Sequence, residues 1–217
     1  MEDIKNKLYT PITKFEGKNC VVFGHPYQII NCDFEQICLG KPNYSSLSLA
    51  GTMNEFEVRK RDTLFDDCQI MAAPVVTPIM RNTFVLESAH QCPEYKGNAV
   101  YEEGVYIKIK DSEEPLYLSF SSTLLTLGEF NPVKLTSKRD EYCTFKLIFW
   151  DPKTRYAKFR TIELNTRIII QHMATGKNLV VAKSLVPTIF GLEYEVTCNL
   201  MRNCHKMETA DSYWLIR

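Results

Sequence analysis

Any chemistry in this chain would rest on its four histidines, eight cysteines and paired carboxylates. These are the side chains that titrate, ligate metals or act as nucleophiles near neutral pH. His25, His90 and His205 lie in unpatterned sequence, whereas His172 ends the apolar run 167–172. A histidine in that position is expected to be structural. The cysteines run from Cys20 to Cys204 with no C-x-x-C pair. Their closest spacings, Cys32 to Cys38 and Cys198 to Cys204-His205, differ from those of zinc ligands. The acid pairs Asp66-Asp67, Glu102-Glu103 and Glu113-Glu114 sit in polar turns. Solvated turn acids are expected there rather than a glycosidase pair. No nucleophile elbow, zinc-protease helix, P-loop or dinucleotide-binding glycine pattern occurs. The expectation is no catalytic residue, no metal, no cofactor and no small-molecule substrate.

Two basic clusters suggest contact rather than catalysis. Residues 153–160 read KTRYAKFR, with four basic residues, two aromatics and no acid. Lys153, Arg155, Tyr156, Lys158 and Arg160 are therefore candidates for docking on an acidic protein surface, where arginine and tyrosine often anchor contacts. Arg59, Lys60 and Arg61 form the second cluster. Ordinary solvated charge is the alternative for both. Lys+Arg and Asp+Glu each number 26, a balance unlike that of a dedicated nucleic-acid binder.

These side chains need a frame, and the frame reads as all-β. Short runs rich in β-branched and aromatic residues recur between turn residues, at 20–24, 36–40, 46–50, 83–88, 104–110, 116–120, 123–127, 133–136, 144–149, 167–172, 178–182, 194–200 and 213–216. In GVYIKIK, Val105, Ile107 and Ile109 alternate with Tyr106, Lys108 and Lys110, which is the period of a half-buried strand. Residues 52–62 are the exception, polar enough for a short surface helix after a Thr52 cap. No run of about 18 apolar residues is present, so no membrane span or membrane partner is expected. The N-terminus lacks the apolar core of a secretory signal, so a cytoplasmic chain with reduced thiols is expected.

The runs also repeat. The middle and last thirds each show a strand, a polar turn, a returning strand, an irregular stretch and an aromatic closing strand. Ile107 precedes Leu118 by 11 residues, and Ile169 precedes Leu179 by 10. The first third fits the same plan if 51–78, which contains Pro74 and Pro78, is an insertion outside the barrel. One such unit cannot bury its own apolar face, but three can close a barrel. The expected fold is an all-β, β-trefoil-like barrel of units 17–90, 100–150 and 160–217. Residues 1–16 form an arm before the single domain 17–217. Phe84, Phe145 and Trp214 should occupy equivalent core positions on the closing strands.

Two resemblances sharpen this reading. The last third is similar to a MIR motif, a trefoil unit of mannosyltransferases and calcium-release channels. The matching features are His172, the turn Ala174-Thr175-Gly176-Lys177, Leu179 to Val181, Glu195-Val196 and Trp214. Gly176 suits a tight hairpin, Thr175 can cap its backbone, and the Trp214 indole N–H needs a nearby acceptor. The runs 77–86 (TPIMRNTFVL), 116–119 with 123–125, 149–152 (FWDP), 168–181 and 190–196 (FGLEYEV), with Trp214, resemble the family of cilia- and flagella-associated protein 161 in the same order. That resemblance implies a non-enzymatic microtubule inner protein in the A-tubule lumen of the axonemal doublet, near its seam. Its partners would be alpha/beta-tubulin and neighbouring luminal proteins, and its role would be in doublet stability and motility. The MIR likeness leaves an alternative, a module binding carbohydrate or peptide.

Overall fold

A computed structural model describes residues 6–11, 19–38, 41–61, 63–90, 97–121, 131–155 and 161–217, with the backbone alone at 36–38 and 41–45. The first unit contains β1 (Pro26–Tyr27), β2 (Ile29–Cys38), β3 (Lys41–Thr52), β4 (Gln69–Ala73) and β5 (Phe84–Ser88). The second contains β6 (Gly104–Ile109), β7 (Tyr117–Ser119), β8 (Lys134–Thr136) and β9 (Thr144–Phe149). The third contains β10 (Ile168–His172), β11 (Asn178–Thr188), β12 (Gly191–Asn199) and β13 (Leu215–Ile216).

The outer strands of each unit form a closed wall. Its antiparallel contacts run through Tyr27↔Phe84, Leu86↔Ile107, Val105↔Phe145 and Ile170↔Leu147. An isolated bridge, Ile168↔Trp214, and the pair Leu215↔Ile30 complete the circuit. The inner strands form the hairpins β3–β4, β7–β8 and β11–β12. β4 touches β8 at Gln69↔Lys134 and β12 at Glu195↔Met71, and Pro132, two residues before β8, bridges Thr197 of β12, which makes a three-cornered cap. Ring closure satisfies backbone groups that an open sheet would leave on its edges.

Threefold pseudo-symmetry is also visible in the chain segments that lead into the units. Val21 N–H donates to the Ile162 carbonyl at 2.8 Å, Ile162 N–H to Ala99 at 3.0 Å, and Ala99 N–H back to Val21 at 2.8 Å. All three side chains are fully buried. Three residues later the backbone of Gly24, Glu102 and Asn165 turns left-handed, with φ of 82, 66 and 58°. Their N–H groups donate to Leu86, Leu147 and Ile216 respectively. Each is the second residue after a closing aromatic. Phe84, Phe145 and Trp214 each follow a short 3-10 turn (Met80–Asn82, Glu141–Cys143, Ala210–Ser212) by two residues, and each is 0% exposed. The fold is a MIR-like β-trefoil.

Several local expectations need correction. Residues 20–24 are a bridging linker, and the first wall strand begins at Pro26. A strand with only isolated partners cannot be told from a paired one by its apolar composition. Segment 51–78 does not lie outside the barrel: it contains β4, and Leu64, Cys68, Ile70 and Ala72 are buried in the core. β4 stops at Ala73, where Pro74 ends the supply of N–H donors. The surface helix is short (Glu55–Val58), and its cap is Asn54, whose side chain accepts from Glu57 N–H at 2.9 Å. Thr52 instead ends β3. β11 runs past 182 to Thr188, and β12 starts at Gly191. The expected strand 123–127 lies outside the described residues. From the expected arm, residues 6–11 pack on the barrel: Leu8 is 1% exposed, Met80 N–H donates to Thr10, and Pro11 bridges Ile79.

Candidate protein-contact surfaces

The two basic clusters have different characters. Arg59 and Lys60 are exposed at the end of the short helix. Arg61 is also exposed, but its guanidinium lies 4.5 Å above the Phe65 ring and 3.9 Å from Glu57. In the second cluster Asp151 shapes the turn, accepting from Lys153 N–H at 3.0 Å and from the Thr154 hydroxyl at 2.9 Å. Lys153 is left exposed. Arg155 is not a solvated docking cation. Its Nε donates to the Phe149 carbonyl at 2.9 Å, and its Nη2 reaches the Trp150 carbonyl and Glu208 at 3.3 and 3.4 Å. A guanidinium that serves two carbonyls and a carboxylate holds a loop rather than a partner. Tyr156, Lys158 and Arg160 lie outside the described residues.

That clamp supports a surface that sequence reasoning missed. Trp150, half-buried, meets Tyr213 edge-on with ring centroids 5.8 Å apart. The Arg167 guanidinium sits 5.5 Å from the Trp150 ring and forks onto both Asp33 oxygens at 2.7 Å. These hydrogen bonds to Asp33 raise the Arg167 pKa further, so its charge is permanent. Tyr213 donates its hydroxyl to the Glu208 carbonyl at 2.8 Å, and burial pushes its phenol upward. The FWDP run placed Trp150 on view, but nothing local links Asp33 to Arg167, 134 residues away. A second stack places Arg139 3.9 Å over Tyr106 and 5.5 Å from Tyr117. Glu87 binds Lys108 beneath it at 2.7 Å.

His172 and three of the cysteines have structural roles. His172 is fully buried between Phe120 and Phe145. Its Nε2 lies 3.0 Å from the Tyr142 carbonyl, so that nitrogen carries the proton. Nδ1 therefore accepts from the Thr175 hydroxyl at 2.9 Å. Burial lowers the pKa and keeps the ring neutral. Thr175 also accepts from Lys177 N–H, and Gly176 has a φ of 67°, as the turn requires. Trp214 Nε1–H donates to the Leu179 carbonyl at 2.9 Å. Cys68, Cys143 and Cys198 are buried, and burial pushes the Cys68 thiol up to about 11. Among the described residues no three His, Cys, Asp or Glu side chains gather as metal ligands, and no helix is long and apolar enough to cross a membrane.

The closed barrel, its three-hairpin cap and these rigid arginine–aromatic surfaces define a MIR-like trefoil scaffold. A family model described as the cilia- and flagella-associated protein 161-like domain matches residues 1–140 and 125–217, and the chain belongs to that family. Relatives named cilia- and flagella-associated protein 161 include one from Mus musculus, 28% identical over 75% of this chain and 56% of its own length. The Danio rerio relative is 23% identical over 98% of this chain and 73% of its own. The Bos taurus relative is 28% identical over 78% and 55%. The chain thus spans about half the length of the mouse and cattle relatives it matches. Among solved structures, the SDF2-like protein from Arabidopsis thaliana superposes with a TM-score of 0.61 at 13% identity, covering 91% of this chain and 94% of that one. A part of the S. cerevisiae protein O-mannosyltransferase Pmt1-Pmt2 complex gives 0.58 at 12%, covering 95% of this chain and 27% of that one. At such identities the likeness concerns the fold alone.

Proposed function

We propose that this cilia- and flagella-associated chain is a non-enzymatic structural component of the axonemal doublet. It sits in the A-tubule lumen near the seam, binds alpha/beta-tubulin and neighbouring luminal proteins, and supports doublet stability and motility. The observation that carries the reading is the Trp150–Tyr213–Arg167 surface, braced by Arg155 and Asp33 on a closed barrel. Tryptophan, tyrosine and arginine are the residues most enriched at protein-contact hot spots. They lose little side-chain freedom on binding when they are already fixed. Repetition along a microtubule lattice adds avidity, so each contact can be weak. The family supports the ciliary association, and the braced aromatic–arginine surface supports a contact role.

The test is fractionation of axonemes from ciliated cells that express the tagged full chain. Wild-type protein should stay with salt-washed doublets, and averaged images of those doublets should place it in the A-tubule lumen. Trp150→Ala with Arg167→Ala should elute at lower salt while remaining folded. Wild-type protein found wholly in the detergent-soluble cell body would reject the location. Undiminished retention of the double variant would reject this contact surface.

A further inference from the structure

A groove of about 640 Å³ separates the short helix Glu55–Val58 from the far end of the β11–β12 hairpin. Phe65, Met71, Val186, Pro187 and Ile189 line it with apolar surface. At its rim Phe56 is 77% exposed, the most exposed of the large hydrophobic side chains described. Phe56 is held there firmly. The Asn54 cap fixes the helix start, and Val58, 2% exposed, anchors the opposite face in the core. Three carboxylates border the groove, Glu55, Glu57 and Asp67, against one ammonium, Lys134. Lys134 is paired with Asp67 at 2.6 Å, and Glu57 faces Arg61 at 3.9 Å. Among the described residues Glu55 has no cation within ion-pair distance. The groove therefore has apolar walls interrupted by the polar side chains of Thr52, Gln69 and Thr188, and it carries Glu55 and Glu57 along one rim; Arg59 and Lys60, exposed past the helix end, do not line it.

We infer that this groove receives a basic amphipathic segment of a neighbouring protein. Apolar side chains of that segment would lie against Phe56, Phe65 and Ile189, and its lysines or arginines would face Glu55 and Glu57. The acidic rim argues against an acidic surface, a phosphate-bearing ligand or a second copy of the same rim, each of which brings like charge together. The inference rests on the reading of the chain as an assembly component, and it assigns the groove a partner different from the acidic one expected for the basic clusters.

The test uses the purified full chain and a labelled helical peptide of about 14 residues with leucines at i, i+3, i+4 and i+7 and lysines elsewhere. A counterpart carries glutamates in place of the lysines. Fluorescence anisotropy should show the lysine peptide binding at least about tenfold more tightly than the glutamate peptide. Phe56→Ser should weaken the lysine peptide about tenfold without moving the melting temperature, because Phe56 is already in water. Glu55→Lys with Glu57→Lys should invert the peptide preference. Equal binding by wild type and Phe56→Ser would overturn the inference. So would an unchanged preference after charge reversal, or a wild-type dimer that Phe56→Ser dissolves. Absence of the wild-type chain from axonemes would reject the axonemal reading, while the titration still decides the groove.

Discussion

Arg81 and Glu193 meet inside the protein, Nη2 to Oε1 at 2.5 Å, with side chains 0% and 1% exposed. They lie 112 residues apart, one in the 3-10 turn before β5 and the other in the cap strand β12. Arg81 also donates to the Gly51 carbonyl at 3.1 Å and stacks on Phe190 at 4.0 Å and Tyr9 at 5.6 Å. One guanidinium thus binds β3, the third-unit hairpin and the N-terminal segment together. Among the described residues Arg81 Nε and Glu193 Oε2 have no hydrogen-bond partner, so part of the hydration the pair gives up is not replaced by hydrogen bonds. Such a pair is harder to break than it is useful to keep.

That imbalance predicts non-additive mutagenesis. Arg81→Met or Glu193→Leu alone should each cost about 3–5 kcal/mol by leaving a charge buried without its counterion. The double variant should cost less than either single change. Urea unfolding midpoints with a constant m-value decide it, and additive losses would show that the two groups act independently.

Trp214 closes the barrel and donates its indole N–H to the Leu179 carbonyl. Trp214→Ala should destabilise the fold by about 3–5 kcal/mol through the cavity it leaves. Trp214→Phe fills much of that volume but strands the Leu179 carbonyl, at a cost of about 1–3 kcal/mol. Thermal unfolding should rank wild type, Phe and Ala in that order; a near-wild-type Ala variant would contradict the core assignment.

His172 makes stability pH-dependent in a defined window. Its folded pKa lies below the ordinary 6.5 because burial disfavours the imidazolium. Below pH 6.5 the unfolded chain therefore binds more protons than the folded one. The contribution is complete above that pH and is lost as pH falls toward the folded value. The slope is at most about 1.4 kcal/mol per pH unit for this one proton. The pH profile of a His172→Phe variant should lack this component. Parallel wild-type and variant curves between pH 6.5 and 5 would remove His172 as its source.

Two glycines should respond to alanine for different reasons. A Cβ on Gly51 would come within 2.5 Å of Leu64 Cδ1, a buried side chain, so Gly51→Ala should cost about 1–3 kcal/mol through overpacking. A Cβ on Gly24 meets nothing within 4 Å, and only the φ of 82° opposes it. Gly24→Ala should cost about 1–2 kcal/mol. In a Leu64→Ala background Gly51→Ala should cost less than it does in the wild type, and Gly24→Ala should cost the same, as read from paired denaturation curves.

The chain alone carried the strand content, the threefold repetition and the aromatic closing positions. Each of these follows from local pattern: alternation along a strand, a turn residue at a fixed offset, a large apolar side chain after a turn. Residues 144–149 are an example, because TFKLIF states both its period and its inward face. Gly176, Thr175 and the acceptor that Trp214 needs were legible for the same reason. What lay beyond local pattern was decided in three dimensions. β4 reads as part of an insertion until its pairing with β3 and β12 is seen. Arg155 reads as one more surface cation until the Phe149 and Trp150 carbonyls close on it. Arg167 with Asp33, and Arg81 with Glu193, bear no sequence signal, because ring closure sets their separation and no helical or strand period spans it. Periodicity determines which face a residue takes within its own element, and only the closed barrel determines which distant residue stands opposite.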